Sequence, residues 1–362
     1  MTSTKRIAPI VFAVATLCAP ALAEGGWKVI GHGFGHGVGL SQYGAYGYAR
    51  HGRDYGQIVE HYYTGTALGS TAGAKAVRVL LGSGRAVGFS GARRACGERI
   101  NARRSYSFVA AGGGVVLRRA GGGKVGGCGH EGVAGTGVSI AGFGRYRGSL
   151  VARADGGSLL VINAVGVDAY VRGVVPNEMP ASWPQQALRA QAVVARSYGL
   201  ATDRGGAFDQ YDDTRSQVYG GRGSETKATN DAVKATAGEV VRYKGRIATT
   251  YYFSTSGGET ENSEFGFSGG SAVPYLKSVE DPFDDLSPVH DWRQGFSDSQ
   301  MASRLDGLFS GGLRRIEILK TGASPRIVRA RVVGARGSTV VTGDTLRARL
   351  GLRSTWARFR HR

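Results

Sequence analysis

Alternating apolar and polar side chains mark short strands at Ala76–Leu81, Ser107–Ala110, Val115–Arg118 and Ser158–Ile162, each bounded by glycine clusters. The clearest helical pattern follows Ser182-Trp183-Pro184-Gln185. That tetrapeptide reads as a capping box with proline in the first turn, and the apolar spacing runs through Ala187–Ala201 to Gly205-Gly206. A second helix fits Thr229–Ala237, stopped by Gly238, and a hairpin joins Glu239–Tyr243 to Ile247–Ser254 about Lys244-Gly245. From Ser41 to Tyr63 the spacing is again helical, interrupted at Gly52. Strands in one stretch and helices in another predict an α+β fold: mixed, strand-rich, with one main helix and a Gly-rich β-subdomain.

The first residues read as a leader rather than as fold. Lys5 and Arg6 precede an apolar run from Ile7 to Ala21, and Ala21-Leu22-Ala23 is a small-x-small cleavage signal. Ala15-Thr16-Leu17 ahead of Cys18 does not fit a lipobox, so Cys18 reads as part of the apolar run. The expectation is a secreted protein. Export bears on Cys96 and Cys128, the two cysteines left, for which a disulfide is the simple expectation. The other reading, two of four zinc ligands, lacks CxxC spacing and has only His130 nearby.

Composition adds charge and glycine. Lys and Arg number 46 against 27 Asp and Glu, a formal charge of +19, and residues 311–362 are especially basic. Such a field suits an anionic partner, although a coding bias toward Arg produces the same excess. Export disfavours nucleic acid and leaves anionic lipid and anionic wall polymers. Gly accounts for 60 of 362 residues with no Gly-x-y period, which excludes collagen and predicts many tight turns.

Chemistry concentrates in a few places. Glu178 lies between Pro176 and Pro180, four residues ahead of the predicted N-cap, among apolar neighbours Met179 and Trp183. Local chemistry leaves two roles open, a general acid or a helix cap. Arg189 and Arg196 are two turns apart on one helix face, and the apolar flanks of Arg196 imply burial against a substrate group or a structural Asp. His32 and His36 have a helical metal spacing, but the glycines between them forbid the helix. Ser254–Thr260 forms a hydroxyl-rich turn that either presents Ser254, Ser256 and Thr260 to a polar substrate or caps a strand. If two carboxylates are required, Asp212, Asp213 and Glu261 are the ones to test.

Together, Val174-Val175-Pro176-Asn177-Glu178-Met179-Pro180, Ala187–Tyr198, Ser216-Gln217-Val218-Tyr219-Gly220-Gly221, Phe253–Gly258, Pro274-Tyr275-Leu276 and Asp281-Pro282 resemble the stage II sporulation protein D / LytB family of bacterial wall proteins. The resemblance spans about residues 155–285, plus 31–47. It implies a lytic transglycosylase acting on peptidoglycan glycan strands, with Glu178 as catalytic acid and Arg189 and Arg196 in the cleft. It also implies substrate-binding roles for His36, Ser41, Gln42, Ser216, Gln217, Tyr219, Ser254, Ser256 and Thr260. The alternative it carries is a non-catalytic enhancer of a cell-wall amidase. Some relatives bind zinc through His and Cys downstream of the catalytic helix; Phe208–Gly221 holds neither, so no metal and no other cofactor is expected. The Gly-His-Gly-Val-Gly-x-Ser-Gln-Tyr-Gly-Ala motif, which usually closes such chains, here precedes the core, as in a circular permutation. Segments follow: 1–23 leader, 24–69 motif segment, 70–150 β-subdomain, 151–285 catalytic core, 286–362 basic segment completing the core. The permutation predicts Gly31–Gly39 beside Leu346–Trp356, both bordering the Glu178 cleft.

Overall fold

The computed structural model describes residues 26–71 and 75–362. The expected leader and Cys18 lie outside them. The fold is α+β, and the chain divides into two compact units: residues 68–249, and residues 26–67 together with 250–362.

In the first unit, inward–outward alternation along most strands builds a sandwich. A seven-stranded sheet is centred on Ala76–Gly84, Ser158–Gly166 and Ser149–Asp155, and a six-stranded sheet on Ala86–Ser90, Tyr106–Ala111 and Gly114–Arg119. Val77, Val79 and Leu81 of one sheet, and Val87, Phe89, Phe108 and Leu117 of the other, point inward and are almost fully buried. Gly132 has no room for a side chain because Phe108 and Val115 of the opposite sheet fill the space above it. Cys96 and Cys128 form a disulfide between the edges of these sheets, following Arg94–Ala95 of the first and Lys124–Gly127 of the second.

The strand Ser158–Gly166 runs straight into a helix, Val167–Glu178, which packs on the long helix Gln185–Ala201. The long helix is central: every side chain from Ala190 to Gly199 is buried. Two sequence expectations are corrected here. Val167–Glu178 is a helix in its own right, where the sequence predicts no separate element and places Glu178 simply ahead of the next helix. The capping box at Ser182 does not form; Pro184 occupies the N-cap without a side-chain bond. The third helix, Lys227–Ala235, begins two residues early because Thr226 caps it by accepting from the Thr229 N–H.

In the second unit, Trp27–His32 is the middle strand of an antiparallel sheet, between Asp291–Phe296 and Ala357–His361. A four-stranded sheet and the helix Gly343–Leu350 close a core around Trp27, Val29, Trp292, Met301, Leu346 and Leu350. The helix-like stretch resolves into Gln42–Arg50 and Tyr55–Tyr62, separated by a turn at Gly52. The predicted strand Ile247–Ser254 shrinks to Arg246–Ile247 and Tyr252–Phe253, the latter pairing in parallel with Leu40–Ser41.

The Gly-rich motif packs beside the Leu346–Trp356 segment. The His32 N–H donates to the Trp356 carbonyl at 3.0 Å, and the Gly35 N–H to the Arg353 carbonyl at 3.1 Å. Two of its glycines are required. Gly37 (φ +89) lies against the Arg326 guanidinium, and Gly39 (φ +76) against the Tyr251 carbonyl; neither tolerates a Cβ.

Candidate active site

Glu178 is the last residue of the Val167–Glu178 helix. It therefore sits at the helix's negative pole, whereas the sequence placed it ahead of a positive one. Three neighbours fix it there. Met179 turns into extended backbone and buries its side chain. Asn177 donates to the Gly173 carbonyl at 2.7 Å and to the Ser224 hydroxyl at 3.0 Å, which ties the helix end to the loop beyond Tyr219. That loop returns over the helix, with the Gly220 N–H on the Gly173 carbonyl, and delivers the Val218 N–H to a Glu178 carboxylate oxygen at 3.0 Å.

The surroundings of Glu178 are apolar and aromatic. It is half-buried near Tyr170, whose phenol is fully buried and held well above the ordinary tyrosine range by desolvation, with Tyr198, Glu178 and Tyr219 adding to the effect. Tyr170 and Tyr219 pack with ring centroids 5.1 Å apart, and Tyr146 packs on Tyr219. A second carboxylate comes from the same loop. The Tyr219 N–H donates to the Asp212 carbonyl, and burial pushes the Asp212 carboxyl up to about 6. Asp213 is instead engaged by Arg215 at 2.8 Å, which pulls its carboxyl below the ordinary range.

Several residues expected at the substrate turn out to hold the fold. Arg196 is fully buried; its Nε donates to Asp168 at 2.8 Å and its Nη1 to the Glu239 carbonyl at 2.9 Å, so its partner is a structural Asp. Gln217 is buried and donates to the Tyr170 hydroxyl and the Ala195 carbonyl. Tyr219 is buried and donates to Asn163 at 2.7 Å. Ser216 accepts from the Tyr211 N–H and shapes the loop. Arg189 keeps the cleft role open: it is half-buried, and its Nε has no hydrogen-bond partner among the described residues.

The remaining candidates lie in the second unit, and there too most are internal. Ser41 is the buried N-cap of Gln42–Arg50, accepting from the Gly44 N–H at 3.1 Å, and Gln42 is buried beside it. His36 packs against Phe253 and Phe267; its ring bonds the Tyr252 carbonyl and the Val38 N–H. Burial, reinforced by Arg347 and Arg326, pushes its imidazole down to about 3, so it is neutral at any physiological pH. Ser256 and Thr260 are buried. Ser256 accepts from the Gly258 N–H, and Thr260 accepts from the Val279 N–H at 2.8 Å, so this turn caps strands. Ser254 is only partly buried and contacts the Thr255 hydroxyl. Glu261 is buried and accepts from Ser324 and from the Asn262 and Ala323 N–H groups.

Asp281 stands out in the sequence only as part of a family motif, with no role assigned to it. It accepts from the Tyr62 hydroxyl at 2.8 Å, and its carboxyl is pushed up to about 7, first by burial and then by Asp284. Because its folded value lies above the ordinary 3.8, ionising it weakens the native state. The native protein is therefore expected to lose stability as pH rises from about 4 to about 7, and to level off above that. Asp281→Asn keeps an acceptor for Tyr62 and should flatten that slope. Urea midpoints of both proteins across this range test it; parallel curves would refute it.

Residues 155–243 match the family model described as Stage II sporulation protein. That span holds the three helices of the first unit, Glu178 and the loop that reaches it. It is a SpoIID domain. The chain is 43% identical over 134 residues to the amidase enhancer of Bacillus subtilis (strain 168), covering 37% of this chain and 18% of that protein. It is 32% identical over 213 residues to stage II sporulation protein D of the same organism, covering 53% and 60%. An uncharacterized protein of Brachyspira hyodysenteriae is 38% identical over 138 residues, covering 37% of each. The chain thus spans less than two thirds of each of these relatives. Among the described residues, no helix of the SpoIID domain or of the second unit is long and apolar enough to cross a membrane.

Proposed function

We propose that this protein acts on the bacterial cell wall as a secreted lytic transglycosylase, cleaving peptidoglycan glycan strands with Glu178 as its single acid–base group. The observation that carries the reading is the placement of Glu178: a helix-terminal carboxyl clamped by the Val218 N–H inside the SpoIID domain. Glu178 gives its proton to the glycosidic oxygen as the C1–O bond breaks. The resulting carboxylate takes the proton of the muramyl C6 hydroxyl, whose oxygen closes on C1. The nucleophile is tethered to the sugar it attacks, so effective molarities of ~10⁵ M or more are within reach without a positioned water. Arg189 is a cation of this domain left for a substrate anion, as is Arg172 on the helix that ends in Glu178; the Nε of each has no hydrogen-bond partner among the described residues.

The products decide the reaction. Mass spectrometry of intact and peptide-stripped sacculi after digestion should show 1,6-anhydro-muramic ends and no new reducing ends. New reducing ends would mean hydrolysis and a second carboxylate; Asp212, on the loop that clamps Glu178, is the one to replace. The similarity to an amidase enhancer supports a second reading, a wall-binding partner of an N-acetylmuramoyl-L-alanine amidase. No cleavage of either substrate, together with faster amidase turnover when the protein is added, would select it.

A further inference from the structure

The six-stranded sheet of the first unit has an outer face unlike its inner one. Along Ala86–Ser90 the outward residues are Ala86, Gly88 and Ser90, and along Tyr106–Ala111 they begin with Ser107. Ser139 pairs directly with Ser90 on one side and with Arg145 on the other. Ser107 pairs with Gly88 and with Arg118, and Arg118 with Lys124. Residues directly opposite across a ladder share a face, so this face carries a row of small side chains and hydroxyls with cations at both ends, beside the valine pair Val109 and Val116.

The absence of large side chains leaves a groove of about 430 Å³, lined among others by Ser90, Ser105, Ser107, Ser139 and Arg145. No carboxylate lines it. Ordinary solvent-facing strands mix both charge signs; this one presents hydroxyls over exposed sheet backbone and only positive ends. We propose that the groove binds a linear anionic polysaccharide, its sugar hydroxyls bonding the serine row and its acidic groups meeting Arg145 and Arg118. Glu178 is not among the residues lining the groove, so the groove would hold a wall-type polymer without cutting it. Four serine hydroxyls, each able to donate and accept, match a polyol better than a bare polyanion.

The test uses the full-length, disulfide-intact protein and polygalacturonate as probe, with uncharged dextran and polyglutamate as comparisons. Wild type should bind polygalacturonate more tightly than either. Arg118→Gln/Arg145→Gln should weaken that binding about tenfold, equivalent to ~1.4 kcal/mol, and Ser139→Trp should fill the groove and abolish it. Arg358→Gln/Arg360→Gln removes the same net charge from exposed positions of the second unit and should leave binding unchanged. Circular dichroism separates loss of binding from loss of fold, and if Ser139→Trp unfolds, Ser90→Thr/Ser107→Thr narrows the same groove. Unchanged binding by the folded arginine variant, or equal affinity for polyglutamate, would overturn the proposal. Either result would leave the cleavage assigned to Glu178 untouched, because that is read from product ends.

Discussion

Glu178→Gln is expected to lower glycan cleavage by ~10²–10⁴-fold, the usual contribution of a positioned acid–base group, and to leave strand binding intact. The substitution preserves the shape of the side chain and an oxygen to accept from the Val218 N–H, so the loop from Asp212 to Gly220 should stay in place. What it removes is the proton that leaves and returns during one turnover. Release of soluble glycan from sacculi measures the loss, a pull-down on insoluble sacculi measures binding, and an unchanged urea midpoint shows that the helix end is undisturbed. Cleavage within tenfold of wild type would remove Glu178 from the chemistry. A matching loss of binding would instead make it a substrate contact.

Asp168→Ala should be the most damaging single change to the fold among the polar residues of the first unit. Arg196 is fully buried, and burial pulls against its charge while Asp168 supports it, through bonds of 2.8 Å to Nε and 2.7 Å to Nη2. The backbone carbonyls of Glu239 and Ala192 also accept from Arg196. They cannot balance a full charge. Removing one partner of such a pair costs ~3–5 kcal/mol, and the 40% exposure of Asp168 places this case at the lower end, since water can enter where the carboxylate was. Domains are stable by only ~5–15 kcal/mol, so the urea midpoint should fall markedly. Asp168→Ala/Arg196→Met, which removes both charges, should recover much of the loss. A change below ~1 kcal/mol in the single variant would show that the pair contributes nothing beyond packing.

The strands of the sandwich were legible because alternation at Ala76–Leu81 and Ser107–Ala110 reports a two-faced sheet directly. The long helix was legible from its apolar spacing. The helix that ends in Glu178 was not: Gly166 provides no side-chain cap, four valines lower its helical propensity, and Pro176 sits inside it. Packing holds it, on the long helix, on Lys227–Ala235 and on the loop after Asp212. The same limit explains Gln217, Tyr219, Ser256 and Thr260. A hydroxyl or amide in a polar-looking motif reads alike whether it meets a sugar or a buried carbonyl, and the difference rests on contacts with residues distant in sequence. The role of Asp281 was hidden for that reason too, since its partner Tyr62 is 219 residues away.

The middle position of Trp27–His32 in its sheet has a consequence for synthesis. This strand is made before residues 68–249, yet both strands that flank it lie beyond residue 290. Its apolar face must wait unpaired while residues 68–249, whose contacts are self-contained, are made and can fold. Sheets closed by such distant partners form slowly and leave open edges exposed meanwhile. A nascent chain halted before residue 290 should therefore carry a folded first unit behind a protease-sensitive leading segment, which makes that segment the part of the molecule most in need of a holding chaperone.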